Sequence, residues 1–309
     1  MIITVTCNPC VDKSFSVRGL KPEAKMRAKD VRYDPGGGGV NVSRVIRRFG
    51  CATKAMGFAG GHTGAALRDL LDHEGVEHDM ITVKEPTRIN ITILDEEDGA
   101  QYVFSLPGAH VDNSEWHELV SKIHTAEPKP RYIVLSGSLP PGLNDEAYAE
   151  LAKHANARGI IVIVDTSGDP LSMTFEHEPA LVKPNRRELG LLVGKELNSV
   201  EETFAAAREV LALGPKAVVV SLGEQGALAV NADGAWHAKA PSVKTVSKVG
   251  AGDSMMAALV RSLSIGDELK DALKLGVAAG TAATISPGTE LCRLKDIDCL
   301  FPKVEVKAL

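Results

Sequence analysis

The sequence contains no long apolar run. No stretch of its 309 residues reaches the roughly 18 consecutive apolar residues that a membrane-spanning helix needs. The opening residues, MIITVTCNPC, include no basic residue, no extended apolar segment and no small-residue cleavage motif, all of which a secretory signal peptide would show. We therefore expect a cytoplasmic protein without a membrane partner.

Positive charge is also in short supply. The chain has 35 Lys and Arg residues against 40 Asp and Glu residues, which gives a net charge of -5. Nucleic-acid-binding domains are usually basic, so we expect no nucleic-acid partner. A local basic pocket for an anionic small molecule is still compatible with this balance.

Cysteine is scarce. The chain has five cysteines, an odd and low number that indicates reduced thiols in a cytoplasmic protein. Cys7 and Cys10 form a C-x-x-C spacing, but the second pair or thioredoxin-like context of a zinc or redox site is missing. The simpler interpretation is a turn after the first strand, which Pro9 ends.

Apolar runs alternate with helix-period segments along the chain. We predict strands at Ile2–Thr6, Tyr132–Ser136, 160–165 and Ala217–Ser221, three of them apolar enough to be buried on both faces. Helices are predicted at 112–124, 145–157 and 200–213. This order indicates right-handed βαβ units and a three-layer α/β/α fold around a mostly parallel sheet.

Two segments break this rhythm. Strands predicted at 14–18, 88–94 and 101–106 alternate apolar with polar residues and have no helices between them, as in a sheet with one wet face. We interpret segments 14–34 and 88–106 as the source of a small β-sheet lid on a single domain that spans residues 1–309.

Polar and glycine-rich motifs follow the apolar runs. In α/β folds ligands bind beyond the carboxyl ends of the strands, so these motifs are candidate site segments. They are NPCVD with Asp12, SGSLPPG with Ser138, KPNRRE after the short apolar stretch 180–182, SLGEQG, and VGAGD after the stretch 243–246.

The VGAGD motif is the most informative. Gly250, Ala251 and Gly252 would expose backbone N–H groups at a helix N-terminus, which is an anion-binding arrangement. Asp253 in the first turn is either a helix-stabilising residue or a base that takes a proton from a substrate hydroxyl.

A run of glycines, Gly36 to Gly39, precedes another helix-period segment. Without Cβ atoms, this loop would let a ligand lie against the backbone, although a flexible turn is an equally good interpretation. The Lys of a P-loop and the G-x-G-x-x-G fingerprint of a dinucleotide-dependent oxidoreductase are both missing. Asn41 offers a donor and an acceptor to a polyol, so the loop suits a sugar better than a nucleotide.

Other charged residues have two interpretations each. Asn185 and Glu188 match a capping box, yet Glu188 is also placed to organise Mg²⁺ through water. Arg88 suits bidentate contact with a phosphate. Lys25 and Arg27 add positive charge, and sequence alone favours a solvated surface for both.

Taken together, these motifs resemble the PfkB, or ribokinase-like, family of carbohydrate kinases over nearly the whole chain. GGGGVN and VGAGDS match the two family signatures, and NPCVD, SGSLPPG, KPNRRE, VVSLGEQGAL and GVAAGTAAT follow in family order. The resemblance implies a ribokinase-like fold with a β-lid, ATP as phosphoryl donor and Mg²⁺ as cofactor.

The resemblance also implies roles for individual residues. Asp253 would be the general base, and Gly250, Ala251 and Gly252 the anion hole. The sugar phosphate would be held by Asp12, Lys25, Arg27, Gly37, Gly38, Asn41, Arg88 and Ser138. The nucleotide and its Mg²⁺ would be held by Lys183, Asn185, Glu188, Ser221, Gly223, Gly226 and Ala279.

Within the family, TRIN and SGSLPPG are similar to the members that phosphorylate hexose phosphates. YDPGGGGVN and GTELC are most similar to those that phosphorylate fructose 6-phosphate on its 1-hydroxyl, giving fructose 1,6-bisphosphate. Tagatose 6-phosphate and fructose 1-phosphate kinases are the alternatives, as is a non-catalytic sugar-phosphate sensor. Relatives often bind K⁺ before the VGAGD motif, where this chain has Lys248, which puts a K⁺ requirement in question. The resemblance also implies a homodimer that forms through the lid.

Overall fold

The computed structural model describes all 309 residues. The strands, in chain order, are β1 Ile2–Thr6, β2 Cys10–Val17, β3 Lys29–Gly36, β4 Thr53–Gly60, β5 Glu77–Val83, β6 Arg88–Asp95, β7 Gln101–Phe104, β8 Tyr132–Ser136, β9 Ile161–Asp165, β10 Leu181–Val182, β11 Ala217–Ser221, β12 Ala227–Asn231, β13 Gly234–Lys239 and β14 Glu305–Ala308. The helices are α1 Gly38–Arg48, α2 Gly61–His73, α3 Asn113–Thr125, α4 Ala147–Ala157, α5 Asp169–Ser172, α6 Arg186–Val193, α7 Val200–Leu211, α8 Ala251–Ser264, α9 Leu269–Thr284 and α10 Leu294–Leu300.

Ten strands form one large sheet, in the order β14-β13-β12-β11-β10-β9-β8-β1-β4-β5. Pairing is parallel from β5 through β11 and antiparallel from β11 to β14. The carboxyl ends of the parallel strands therefore meet at one edge, which is where α/β folds bind ligands.

Helices cover both faces of this sheet because its strands are apolar on both. In β8, Ile133 and Leu135 pack towards α3, α4, α6 and α7, whereas Tyr132 and Val134 pack towards α1, α8, α9 and α10. This confirms the predicted three-layer architecture with a mostly parallel sheet.

A second sheet of four strands, in the order β3-β2-β6-β7, lies apart from the first. Strands β6 and β7 lie within the predicted lid segment 88–106, whereas β2 begins before the predicted segment 14–34, at Cys10, and β3 ends after it, at Gly36. In the register of β2, β6 and β7, Asp12 pairs with Asn90 and Ile91 pairs with Phe104. Side chains therefore alternate between a polar face that carries Asp12 and an apolar face that carries Ile91.

The predicted boundaries hold to within a few residues for most elements. Strands β1, β8 and β11 have the predicted bounds, and α4 begins at Ala147 rather than 145. The stretch 243–246 before VGAGD forms no strand, and it approaches α8 as irregular chain. None of the helices is both long and apolar enough to cross a membrane.

Candidate active site

A polar cavity of about 480 Å³ lies between the lid and the carboxyl edge of the large sheet. Most of its wall is polar or glycine, which suits a hydrophilic ligand better than an apolar one. The wall includes the predicted residues Asp12, Gly37, Gly38, Asn41, Arg88, Lys183, Asn185, Glu188, Ser221, Gly252 and Asp253.

The start of α8 forms the floor of this cavity. Gly250 is the N-cap, with a left-handed φ of 75°, and a Cβ there would come within 2.3 Å of Leu291. Only glycine fits this turn without strain. The turn brings Gly252 and Asp253 to the cavity wall, where unpaired N–H groups of the first helical turn favour an anion.

Asp253 is placed as a base would be. Its Oδ2 accepts a hydrogen bond from Nδ2 of Asn41 at 2.8 Å. Burial raises the pKa of Asp253 to about 6, and the Asp165 carboxylate acts in the same direction, whereas the Asn41 hydrogen bond and the Lys183 ammonium oppose the rise. A carboxylate with this pKa accepts a proton more readily than an ordinary Asp and remains ionised at neutral pH.

The glycine run enters α1 directly. Gly37 is the N-cap with a φ of 106°, and a Cβ at this position would approach Thr6 to 2.7 Å. The Thr6 hydroxyl instead accepts from the backbone N–H of Val40 at 2.8 Å. Gly37 and Gly38 both line the cavity, so the run forms a fixed wall of backbone rather than a flexible turn.

The lid contributes the buried Asp12 to the opposite wall. Its Oδ1 accepts from the Cys10 thiol at 3.1 Å and from Nδ2 of Asn90 at 3.3 Å. Burial raises the pKa of Asp12, and these two hydrogen bonds oppose the rise. Cys10 thus serves the site as a hydrogen-bond donor to a carboxylate, and all five cysteines are unpaired.

Arg88 lies at the start of β6, and both terminal nitrogens of its guanidinium donate hydrogen bonds to the protein. Nη2 donates to the carbonyl of Asn8 at 2.8 Å, and Nη1 donates to the carbonyl of Leu106 at 3.1 Å. Its Nε is buried without a partner. A buried donor without an acceptor is unfavourable, so the Arg88 guanidinium, which also lines the cavity, has one N–H that the protein leaves unsatisfied.

Asp165, the last residue of β9, is a site residue that the sequence did not reveal. It pairs with Nζ of the buried Lys183 at 3.0 Å, and both line the cavity. Although burial disfavours the ammonium, the Asp165 carboxylate holds the pKa of Lys183 above its usual value. Lys183 therefore stays positive beside Gly252, where a Cβ would lie 3.4 Å from its Nζ.

Asn185 and Glu188 form the predicted capping box of α6. The Asn185 side chain accepts from the N–H of Glu188 at 2.9 Å, and the Glu188 carboxylate accepts from the N–H of Asn185 at 2.8 Å. Both also line the cavity, so the two interpretations of the motif are compatible. The chain has no cluster of three or more metal-ligating His, Cys, Asp or Glu side chains.

A second cavity of about 730 Å³ opens beside the first and shares Ser221 and Gly252 with it. Gly223, Gly226, Ala251 and Lys248 also line it, as do Val277, Gly280 and Thr281 of α9. It is more apolar than the first cavity in parts of its wall, as a site for a nucleotide base and ribose would be.

Five predicted residues line neither cavity, and one of them, Gly250, is the N-cap residue that precedes α8. Ala279 is fully buried in the core on the inner face of α9, and its neighbours Gly280 and Thr281 line the second cavity. Ser138 is exposed and accepts from Asn8 instead, while its neighbours in β8 and the following turn reach the cavity. Lys25 and Arg27 lie in an exposed irregular segment of the lid.

Comparisons with known proteins agree on one family. The family model described as pfkB family carbohydrate kinase matches residues 2–296. The chain is 39% identical to ATP-dependent 6-phosphofructokinase isozyme 2 of Escherichia coli over 302 residues, which cover 97% of each chain. It is 33% identical to 1-phosphofructokinase of Bacillus subtilis, with both chains fully covered.

The fold agrees as well. A crystal structure of phosphofructokinase-2 from Escherichia coli in complex with fructose-6-phosphate superposes with a TM-score of 0.91, at 38% identity and 98% coverage of both chains. The match extends over the lid, both cavities and the large sheet, since so little of either chain is left uncovered. The protein therefore belongs to the pfkB family of carbohydrate kinases, and its fold is the ribokinase-like α/β fold with a lid.

Proposed function

We propose that this protein transfers the γ-phosphoryl group of ATP to the 1-hydroxyl of fructose 6-phosphate. The observation that carries the proposal is the position of Asp253, a carboxylate with a raised pKa at the mouth of α8, in the wall of a polar cavity that adjoins a second one. The 6-phosphofructokinase relative, at 39% identity, is more similar than the 1-phosphofructokinase relative, at 33%.

Each wall of the site has a separate task in this reaction. Asp12, Asn41 and the backbone of Gly37 and Gly38 would bind sugar hydroxyls and orient the acceptor towards Asp253. Asp253 would then accept the hydroxyl proton as the new bond forms. Such transfer depends on in-line placement and charge stabilisation more than on covalent help.

The donor side of the site stabilises negative charge. Backbone N–H groups at the start of α8 and the Lys183 ammonium would face the oxygens of the transferred group. Arg88, which lines the cavity, would bind the 6-phosphate in bidentate fashion after exchange of its carbonyl partners. The lid would exclude water and so limit hydrolysis of ATP.

Mg²⁺ fits this site as a companion of the nucleotide. Mg²⁺ usually binds through one or two carboxylates, several waters and substrate phosphates, so the absence of a dedicated protein cluster agrees with that mode. Glu188 and Asp165 are the cavity carboxylates on the donor side that would hold its waters. The ion would neutralise the phosphate charge.

The position of Lys248 bears on whether the protein requires K⁺. Lys248 is exposed and lines the nucleotide cavity, so its ammonium does not fill a buried ion site. We propose that Lys248 contacts the nucleotide, and that K⁺ binding depends on the backbone around it. Rates in K⁺ and in Na⁺ at equal ionic strength, for wild type and Lys248→Thr, test this assignment.

A substrate panel tests the proposed function. We expect kcat/KM with ATP to be highest for fructose 6-phosphate, lower for tagatose 6-phosphate and lowest for fructose 1-phosphate. A preference for fructose 1-phosphate would assign the chain to the 1-phosphofructokinase activity of its other relatives. No transfer to any acceptor, with retained sugar-phosphate binding, would support the sensor alternative.

We further propose that two chains pack through the apolar face of their lids. This face carries Val31, Tyr33, Tyr102 and Phe104, each more than a third exposed, together with Ile91. A four-stranded sheet with an open apolar face is a favourable dimer surface, and a two-fold axis is the commonest operator. Lys25 and Arg27 would then be free to reach the sugar phosphate of the neighbouring subunit.

A further inference from the structure

Arg44 is a charged side chain in the core of the protein. It lies on α1, three residues after Asn41, and is 1% exposed. A buried guanidinium is unfavourable unless nearly all of its donors are paired. The hydrogen-bond partners of Arg44 therefore indicate its role.

Two acidic groups balance the charge of Arg44. Its Nε donates to both carboxylate oxygens of Glu74 at 2.9 Å, and Nη2 also contacts Glu74. Nη2 lies 3.4 Å from Oδ1 of Asp34 in lid strand β3. Because Glu74 ends α2, this pairing joins α1, α2 and the lid.

The remaining guanidinium nitrogen points at the active site. Nη1 donates to the carbonyl of Pro35 at 2.9 Å, to Oδ1 of Asn41 at 3.0 Å, and to the carbonyl of Thr289 at 3.3 Å. Asn41 in turn donates from Nδ2 to Asp253 at 2.8 Å. Arg44 is thus separated from the catalytic carboxylate by one amide group.

That amide has two orientations, and Arg44 selects between them. A guanidinium has donors and no acceptor, so only the oxygen of Asn41 can face it. The nitrogen of Asn41 must then face Asp253. An ionised carboxylate has only acceptors, so it matches this N–H. Reversal of the amide would set two acceptors against each other at Asp253.

We propose that Arg44 is a positioning residue for the base, which acts through Asn41 to keep the amide N–H on the Asp253 carboxylate. The inference rests on the proposed function, because it takes Asp253 as the base. It also links the lid to the base, since the same guanidinium holds Asp34 and Pro35 of β3.

The positioning role can be measured from the pH dependence of kcat/KM. The fall of kcat/KM at low pH, its acidic limb, reports the pKa of the base. The other groups that face Asp253 are Asp165, Lys183 and Asp12, and all are left in place. Loss of a hydrogen bond to a charged group should move the limb to higher pH by about one unit. A purely structural residue would lower the rate equally at every pH, because it would change only the amount of folded enzyme.

The test variant is Arg44→Met with Glu74→Gln, which removes the buried cation and one of its anions together. Asp34 keeps the Thr289 hydroxyl at 2.8 Å and Arg32 as partners. Glu74→Gln alone is the control, since it weakens the same guanidinium without touching Asn41. We expect the control to have a lower melting temperature and an unchanged acidic limb of kcat/KM. We expect the acidic limb of the double variant to lie at higher pH.

An unmoved limb in the folded double variant would overturn the proposal. Asp253→Asn, measured beside it, separates the two ideas: full activity there removes the base assignment itself. If the double variant does not fold, Arg44→Gln with Glu74→Gln, which offers Asn41 an acceptor as well as donors, is tested against the same outcome. If that also fails, ¹⁵N NMR of the wild type decides, and an Asn41 side-chain amide that averages between orientations contradicts the proposal.

Discussion

Acidification should inactivate this enzyme near pH 6, because Asp253, the proposed base, would work only as a carboxylate. With the pKa of Asp253 raised to about 6, about a tenth of the molecules would carry the ionised base at pH 5. An ordinary Asp, with a pKa of about 3.9, would remain more than about nine-tenths ionised there. We therefore expect kcat/KM for fructose 6-phosphate to fall about tenfold between pH 7 and pH 5.

The substrate complicates this result, since a phosphate monoester also loses its second proton near pH 6. The variant Asp165→Asn distinguishes titration of Asp253 from titration of the substrate phosphate. Its charge raises the pKa of Asp253, so removing that charge should move the enzyme's limb to lower pH. A limb that came from the sugar phosphate would stay where it is in every variant.

The assay should follow ADP directly, by chromatography of quenched samples, so that no coupling enzyme imposes its own pH profile. Asp169→Asn is the matched control, because Asp169 is exposed and its loss changes the same charge away from the site. A limb that moves upward in Asp165→Asn, or that moves equally in both variants, would refute the electrostatic account of Asp253.

The remaining predictions concern single parts of the site. Asp253→Asn should lower kcat by roughly 10²-fold or more, since general-base catalysis contributes about 10²–10⁴-fold. Arg88→Ala should weaken transition-state binding of fructose 6-phosphate by about 1.5–3 kcal/mol, as seen in kcat/KM, and spare phosphate-free sugars. Glu188→Gln keeps a capping-box side chain, so it should raise the Mg²⁺ concentration for half-maximal rate without lowering the melting temperature. Ile91→Glu with Ile93→Glu should produce monomers, seen by light scattering, and weaker sugar-phosphate binding, seen as a higher KM.

Each of these has a result that counts against it. Near-normal turnover by folded Asp253→Asn would remove the base, and an unchanged kcat/KM in Arg88→Ala would leave Arg88 a support for the lid. A Mg²⁺ response unaffected by Glu188→Gln would restrict that residue to capping. A fully active wild-type monomer at assay concentration would remove the lid dimer, and Leu213→Glu, an exposed apolar site on the body, controls for surface charge.

The large sheet was predictable because its strands are apolar on both faces and short, and because helices separate them. The lid was harder, since alternating patterns are weaker signals. Strand β3 carries Lys29, Asp30 and Arg32 and ends on Pro35 and Gly36, a composition that does not indicate a strand. Its pairing with β2 supplies the stability that local propensity lacks.

Site residues were predictable where a motif carried them. Asp165 was missed because it ends an apolar strand and belongs to no motif, and its role comes from the neighbouring strand that brings Lys183 beside it. Arg44 was missed because sequence does not distinguish a buried arginine from the exposed ones beside it on α1. Ala279 lies in the core while Gly280 lines the second cavity, because one residue along a helix turns the side chain by about 100°.

The lid side chains that reach the sugar cavity, Cys10, Asp12, Arg88, Asn90 and others, all come from the first 104 residues, whereas the nucleotide cavity is built from residues 221–305. Under the proposed assignment, the lid's contacts with the acceptor and the second cavity's contacts with the donor are therefore encoded in separate parts of the gene. Under that assignment, substitutions in the two lid segments would change the sugar that is bound while the residues of the second cavity are untouched.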